Sequence, residues 1–280
     1  MNFTLTDEQN LLRASLGQFL RQRYGFAERT AASRAEPGYR TDIWSALANE
    51  LGVLGMTIPE AHGGLGGGAL EQMILMEEAG RSLLLEPVSE TVFQAGWLLA
   101  QAGGTQAGQL LGQVASGAVK LVVALGEPTM RYDLPDIATR AARQGDGWRL
   151  DGAKAMVMAA PWANRLIVAA RTAGQAGDAE GLSLFVVDPA TAGVTLHPYP
   201  TIDERRAADI EFAGVSLPAE ALIGPEGGAL PLLEAMRDRA IAAQAAEAAG
   251  LLDKLVTDTV EYTKQRQQFG QPISSFQVLQ

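Results

Sequence analysis

The spacing of apolar residues changes twice along this chain. From Thr6 to about residue 118 it is helical: Leu11, Leu12, Leu16, Phe19 and Leu20 recur every three or four positions. Thr6 and Gln9 form a capping box ahead of them, in which hydroxyl and amide satisfy backbone donors that lack intrahelical partners. Amphipathic stretches over 42–51, 70–84 and 89–101 extend the helical region. The run Pro59-Glu60-Ala61-His62-Gly63-Gly64-Leu65-Gly66-Gly67-Gly68 interrupts it. That run lacks the Gly-Lys-Ser/Thr of a phosphate-binding loop, so it reads as a structural turn.

From residue 119 the pattern shortens. Apolar runs at 121–125, 137–143, 148–150, 154–157, 166–171, 182–188, 194–196 and 209–212 are separated by turn signals such as Gly145-Asp146-Gly147, Asp151-Gly152 and 174–181. Short strands so punctuated predict a β-barrel or sandwich. No Gly-x-Gly-x-x-Gly sits between a strand and a helix, which excludes a dinucleotide-binding βαβ unit. After Gly224-Pro225-Glu226-Gly227-Gly228 the helical period returns. Pro231 suits a first helical turn, and Gly250 is the one glycine from 230 to 266. Seven alanines lie between Ala240 and Gly250, leaving room for a close backbone or a flat ligand. This helix is predicted to end at Arg266 and the Phe269-Gly270 turn. A further helix is expected near Ser274 or Ser275, with Gln280 about a turn into it. The fold class is therefore α+β: an N-terminal helical domain (1–118), a middle β-domain (119–225) and the start of a C-terminal long-helix bundle (226–280) that is incomplete in this chain.

Composition narrows the chemistry. The chain has 280 residues, net charge −10, no cysteine and two histidines, His62 and His197. The acidic balance excludes nucleic acid as a partner, because no basic stripe can neutralise phosphates. Without cysteine there is no disulfide or thiolate metal site, and two histidines so far apart in sequence argue against a histidine metal site or triad; no metal is expected. No run of about 18 apolar residues is present and the N-terminus is no signal peptide, so a soluble cytoplasmic protein without membrane contact is expected.

Four segments carry candidate chemistry. The first is Val123-Ala124-Leu125-Gly126-Glu127-Pro128-Thr129-Met130-Arg131-Tyr132-Asp133, and the second is Lys154-Ala155-Met156-Val157-Met158-Ala159. The third is the long helix with Asp238, and the fourth is Tyr262-Thr-Lys-Gln-Arg266-Gln-Gln268-Phe269-Gly-Gln-Pro-Ile-Ser-Ser-Phe-Gln277. With the Pro-Glu-x-x-Gly-Gly-Leu-Gly turn at 59–66, they resemble the acyl-CoA dehydrogenase superfamily over the whole chain. Arg131-Tyr132-Asp133-Leu134, Asp151-Gly152-Ala153-Lys154 and Phe269-Gly270-x-Pro-Ile look most like the small subunit of two-subunit enzymes of the pimeloyl-CoA dehydrogenase type.

The resemblance implies an FAD-dependent oxidoreductase of fatty acid metabolism. Such an enzyme oxidises an acyl-CoA across its α and β carbons, with a glutamate taking the α-proton and flavin N5 accepting the β-hydride. A dicarboxylyl-CoA or steroid side-chain-CoA is the substrate of related pairs. Leu125, Gly126, Met156 and Met158 would border the flavin, while Arg266, Gln268, Phe269 and Gln277 would hold the FAD of a neighbouring subunit. Asp238 and Tyr132 would face the substrate. Three residues keep a second reading from chemistry alone: Met156 and Met158 also suit core filling, and Arg266 also suits the negative end of a helix dipole. The implied partners are homologous subunits in a homo- or hetero-oligomer, a dimer of dimers, and an electron-transfer flavoprotein as acceptor.

Several positions depart from the family pattern. Gly126 stands at a usual Thr, Tyr132 at a Ser, Met156 at a Trp, Met158 at a Thr and Ile241 at an Arg. No residue is identifiable as the base: Ala240 occupies one family position, the other lies beyond Gln280, and Glu234 and Glu247 read as solvated or structural. Three functions follow: a catalytic acyl-CoA dehydrogenase subunit, a non-catalytic subunit that completes its sister's FAD site, or a flavin-free acyl-CoA binding module.

Overall fold

The computed structural model describes residues 4–279. Helix α1 (Asp7–Arg23) starts at the Thr6–Gln9 capping box, with both reciprocal bonds made. Helices α2 (Phe26–Arg34), α3 (Thr41–Asn49) and α4 (Ala69–Ser82) follow. A π-helical stretch at Ser89–Gly96 runs directly into α5 (Trp97–Ala102), and α6 (Thr105–Ala115) closes the helical region. The Pro59–Gly68 run is a tight turn. A Cβ on Gly64 would sit 2.0 Å from the Ile58 carbonyl oxygen, so the backbone approach itself demands glycine there.

Residues 121–223 form one eight-stranded sheet. Its strands are β1 (Leu121–Ala124), β2 (Arg140–Gln144), β3 (Gly147–Met158), β4 (Arg165–Arg171), β5 (Leu182–Val187), β6 (Val194–Pro200), β7 (Arg206–Leu217) and β8 (Leu222–Ile223). Their order is β6-β7-β3-β2-β4-β5-β8, with β1 parallel to β4. The runs predicted separately at 148–150 and 154–157 are one strand, β3, whose register against β7 shifts between Leu150 and Gly152 and again between Lys154 and Val157. Such bulges break the alternation that marks a strand, so one strand reads as two. The run at 137–143 likewise pairs only from Arg140, because Leu134–Asp136 is a 3-10 turn.

Two cores share this sheet. On β4, Ile167 and Ala169 face the N-terminal helices, while Leu166, Val168 and Ala170 join Trp148, Phe185 and Phe212 on the other side. Period-two alternation thus serves a sheet covered on both faces. The first core also takes in Leu233, Met236, Ala243 and Ala246 of α7 (Leu230–Gln265), a 36-residue helix.

Helix α7 meets α4 backbone to backbone. A Cβ on Gly80 would lie 1.9 Å from the Glu247 oxygen, and one on Gly250 would lie 1.9 Å from the Glu77 oxygen. The small residues predicted to admit a backbone or a ligand therefore admit α4. Past Gly250 the helix leaves the body, and Leu252, Leu255, Val256, Val260 and Tyr262 are exposed. It ends in a hairpin of β9 (Gln267–Gln268) and β10 (Gln271–Pro272). The helix predicted near Ser274 is replaced by 3-10 turns at Ile273–Ser275 and Gln277–Leu279, anchored where Ile273 N–H donates to the Arg266 carbonyl. Gln280 lies outside the described residues.

Gly250→Ala is expected to destabilise the fold by about 3 kcal/mol, since an added methyl at a backbone contact must push two helices apart. Urea unfolding checks this; a loss below about 0.5 kcal/mol, ordinary for a neutral surface change, would contradict the close-contact reading.

Candidate functional site

The predicted residues fall into two groups, one where β1 ends and one where α7 ends. The first gathers where β1 ends beside β3. Leu125 and Gly126 follow β1, and the Gly126 carbonyl accepts from Ala155 N–H at 2.8 Å. Beneath them Lys154 is fully buried; its Nζ donates to the Leu125 carbonyl (3.1 Å) and to Glu127 Oε1 (2.7 Å). Glu127 also accepts from the Ala138 (2.8 Å) and Thr139 (3.0 Å) amides. One ion pair thereby ties the end of β1, the interior of β3 and the approach to β2.

Burial sets the electrostatics of that pair. Desolvation pulls the Lys154 ammonium down to about 8, opposed by the charge of Glu127 and its hydrogen bond. The same burial pushes the Glu127 carboxyl up, but the Lys154 charge and the hydrogen bonds outweigh it, and the net direction is down. The hydrogen bonds to Leu125 and Glu127 hold the Lys154 amine inside the fold.

Met156 is 66 % exposed and points out of the sheet at φ +54°. Its N–H donates to Asp209 Oδ1 at 2.8 Å. Met158 is half-buried and pairs with Ala207. The exposure of Met156 removes its reading as core filler and leaves a side chain free to lie on a ligand. Tyr132 is 90 % exposed on the loop after Gly126.

An isoalloxazine fits these residues. The half-buried Gly126 N–H has no protein acceptor among the described residues. A Cβ at Gly126 would sit 3.0 Å from the Ala155 oxygen, so the segment offers a backbone donor and no covering side chain. Such a donor beside an exposed thioether suits a flat ring with a polar edge. It does not suit a phosphate, because the nearby ammonium of Lys154 is committed to Glu127.

The second group is the hairpin. Arg266 caps α7 and is exposed with no ion pair among the described residues, while Gln268 and Gln277 are exposed and Phe269 is 93 % exposed. The Phe269 and Phe276 rings meet edge to face at 6.3 Å. A guanidinium, two amides and an aromatic ring suit a pyrophosphate and a heterocycle. Ala240, on the stretch of α7 that packs against the same core as Leu125, is 26 helical positions from Arg266, or about 39 Å at 1.5 Å per residue. The hairpin thus stands at the far end of α7 from the part of the helix that packs into that core.

Asp238 is exposed beside Arg237, on the same half of α7 as the half-buried Ala240. Glu234 is exposed. Glu247 bonds Arg205 at 3.1 Å, and Arg205 also reaches Glu90 at 3.2 Å, so Glu247 is a structural anion. Sequence reasoning missed the Lys154–Glu127 pairing and the part played by Asp209. Charged residues in otherwise apolar segments were the available signal. Among the described residues no cluster could hold a metal and no helix is long and apolar enough to cross a membrane.

Family models for the N-terminal, middle and C-terminal domains of acyl-CoA dehydrogenases match residues 6–118, 122–215 and 236–280. A probable acyl-CoA dehydrogenase of Bacillus subtilis, YngJ, is 31 % identical over 100 % of this chain and 74 % of its own length. The Tcur3481-Tcur3483 steroid ACAD G363A variant is 31 % identical with TM-score 0.85, covering 99 % of this chain and 72 % of that one. The ChsE4-ChsE5 complex of Mycobacterium tuberculosis is 26 % identical with TM-score 0.86, over 99 % and 72 %.

Lys154→Met is expected to cost about 3–5 kcal/mol, because it leaves the Glu127 charge buried without its partner. The double variant Lys154→Met/Glu127→Gln removes that charge and is expected to recover more than half of the loss in urea unfolding. Equal loss in both variants would contradict a buried ion pair.

Proposed function

Because the chain belongs to the acyl-CoA dehydrogenase family, FAD-dependent oxidoreductases that act on acyl-CoA thioesters, we propose that it is a subunit whose FAD sites are divided between neighbouring chains. The observation that carries this is the reach of α7: the hairpin stands beyond its exposed last turns, about 39 Å along the helix from Ala240, which packs against the same core as Leu125. When bound, FAD supplies the acceptor for the hydride that leaves the β carbon as the α-proton is lost. Leu125 and Gly126 present backbone to the ring edge, Met156 and Met158 border the ring, and Arg266, Gln268, Phe269 and Gln277 hold the dinucleotide of an adjacent subunit. Asp238 and Tyr132 flank the acyl-CoA. The similar steroid ACAD, with the dicarboxylyl-CoA enzymes that the sequence resembles, supports a bulky or dicarboxylyl acyl group and a homologous partner subunit in the cytoplasm, with an electron-transfer flavoprotein as acceptor.

A second reading has its own support. Ala240 carries no proton acceptor, Glu234 faces solvent and Glu247 is held by Arg205. These favour a supporting subunit that completes the FAD site of a catalytic sister.

Absorbance spectroscopy of the protein purified with its homologous partner separates the two. One flavin per chain, bleached by an acyl-CoA under anaerobic conditions, is expected if this subunit builds a working site. One flavin per two chains assigns it the supporting role. A colourless complex that takes up no FAD would overturn both.

A further inference from the structure

Strand β3 does not reach the flavin-edge segment as a regular strand. Lys154 pairs with Ile210 and Val157 with Ala208, so Ala155 and Met156 together face the single residue Asp209. Unbroken alternation would place Met156 on the side of buried Lys154. The extra residue turns Met156 outward and returns Val157 to the core, where it is 4 % exposed. Met156 pays for that position with φ +54°, a backbone conformation unfavourable for any side chain other than glycine.

Asp209 meets the bulge with its carboxylate. Oδ1 accepts from Met156 N–H at 2.8 Å and from Tyr199 Oη at 2.8 Å. Tyr199 comes from β6, so the device crosses three strands, β6, β7 and β3. Charged acceptors make the stronger class of hydrogen bond, and the Met156 amide, the first influence on this carboxyl, holds it below its usual range together with Tyr199. Asp209 is exposed, its Oδ1 holds both the amide and the phenol, and His197, its register partner on β6, also favours the charged carboxylate.

We propose that Asp209, oriented by Tyr199, is a positioning residue that holds the β3 bulge so that Met156 lies against the flavin. This rests on the reading that Met156 borders the ring. Asp209 does not touch the cofactor; it acts through the backbone of the residue that does.

The test compares Asp209→Ala, Asp209→Asn, Tyr199→Phe and Met156→Ala in the protein purified with FAD and its partner. Losing a charged acceptor from the bulge is expected to raise the FAD dissociation constant of Asp209→Ala about tenfold and to change the visible circular dichroism of bound FAD. Without FAD, amide exchange across 154–158 is expected to quicken about tenfold in the same variant. Asp209→Asn keeps an acceptor oxygen but loses the charge, so it and Tyr199→Phe are expected to fall between wild type and Asp209→Ala. A lower melting temperature with unchanged dichroism and FAD affinity would reduce Asp209 to a structural role and overturn the proposal. If Met156→Ala changes the dichroism while Asp209→Ala does not, positioning fails and the flavin reading stands. If neither changes it, the flavin reading of Met156 fails and the proposal with it. Should Asp209→Ala not fold, Tyr199→Phe decides: wild-type dichroism, affinity and exchange would overturn the proposal.

Discussion

Helix α7 can lie where it does only because two glycines remove the side chains between it and α4. With Gly80 against Glu247 and Gly250 against Glu77, the backbones touch, and that contact fixes the direction in which the remaining turns project. The hairpin lies beyond the end of the helix. The hairpin's distance from the Gly250 contact follows from this one packing event, because a continuous helix cannot fold back on itself.

Buried charges join the regions that the apolar cores leave loosely related. Arg205, in the loop before β7, reaches Glu90 on the π-helical stretch and Glu247 on α7. Arg29 of α2 pairs with Glu204 in the same loop. Lys154 and Glu127 do the same work inside the sheet. Losing one member of the Lys154–Glu127 pair costs far more than the pair contributes, because the orphaned partner remains desolvated, whereas Glu204 is partly solvated. The buried pair therefore specifies geometry more than it adds stability.

Local patterns were legible in the chain where the cause is local. The Thr6–Gln9 cap, the Pro59–Gly68 turn and the long helix from 230 follow from residues a few positions apart. The division of β3 into two runs was misleading, because its bulges are stabilised from neighbouring strands, one of them by Asp209 on β7. The helix expected near Ser274 gave way to 3-10 turns because Ile273 bonds back to Arg266. At the candidate site, the segments at 125–126, 156–158 and 266–277 stood out as motifs. The Lys154–Glu127 pair did not, since 27 positions separate its members and only the sheet brings them together. The exposure of Met156 was likewise hidden, because strand alternation predicts the opposite face.

Three domain matches show the family, and the proposed site is divided between the flavin-edge segment of one chain and the hairpin of another. Complementation tests it most directly. Arg266→Glu weakens the hairpin half and Gly126→Val obstructs the flavin-edge half, so each variant alone is expected to retain little FAD. Refolding the two variants together should restore FAD to a fraction of the sites, since mixed assemblies contain some sites built from two intact halves. If mixing restores nothing while wild type treated the same way binds FAD fully, the two halves do not serve a shared site and the account fails.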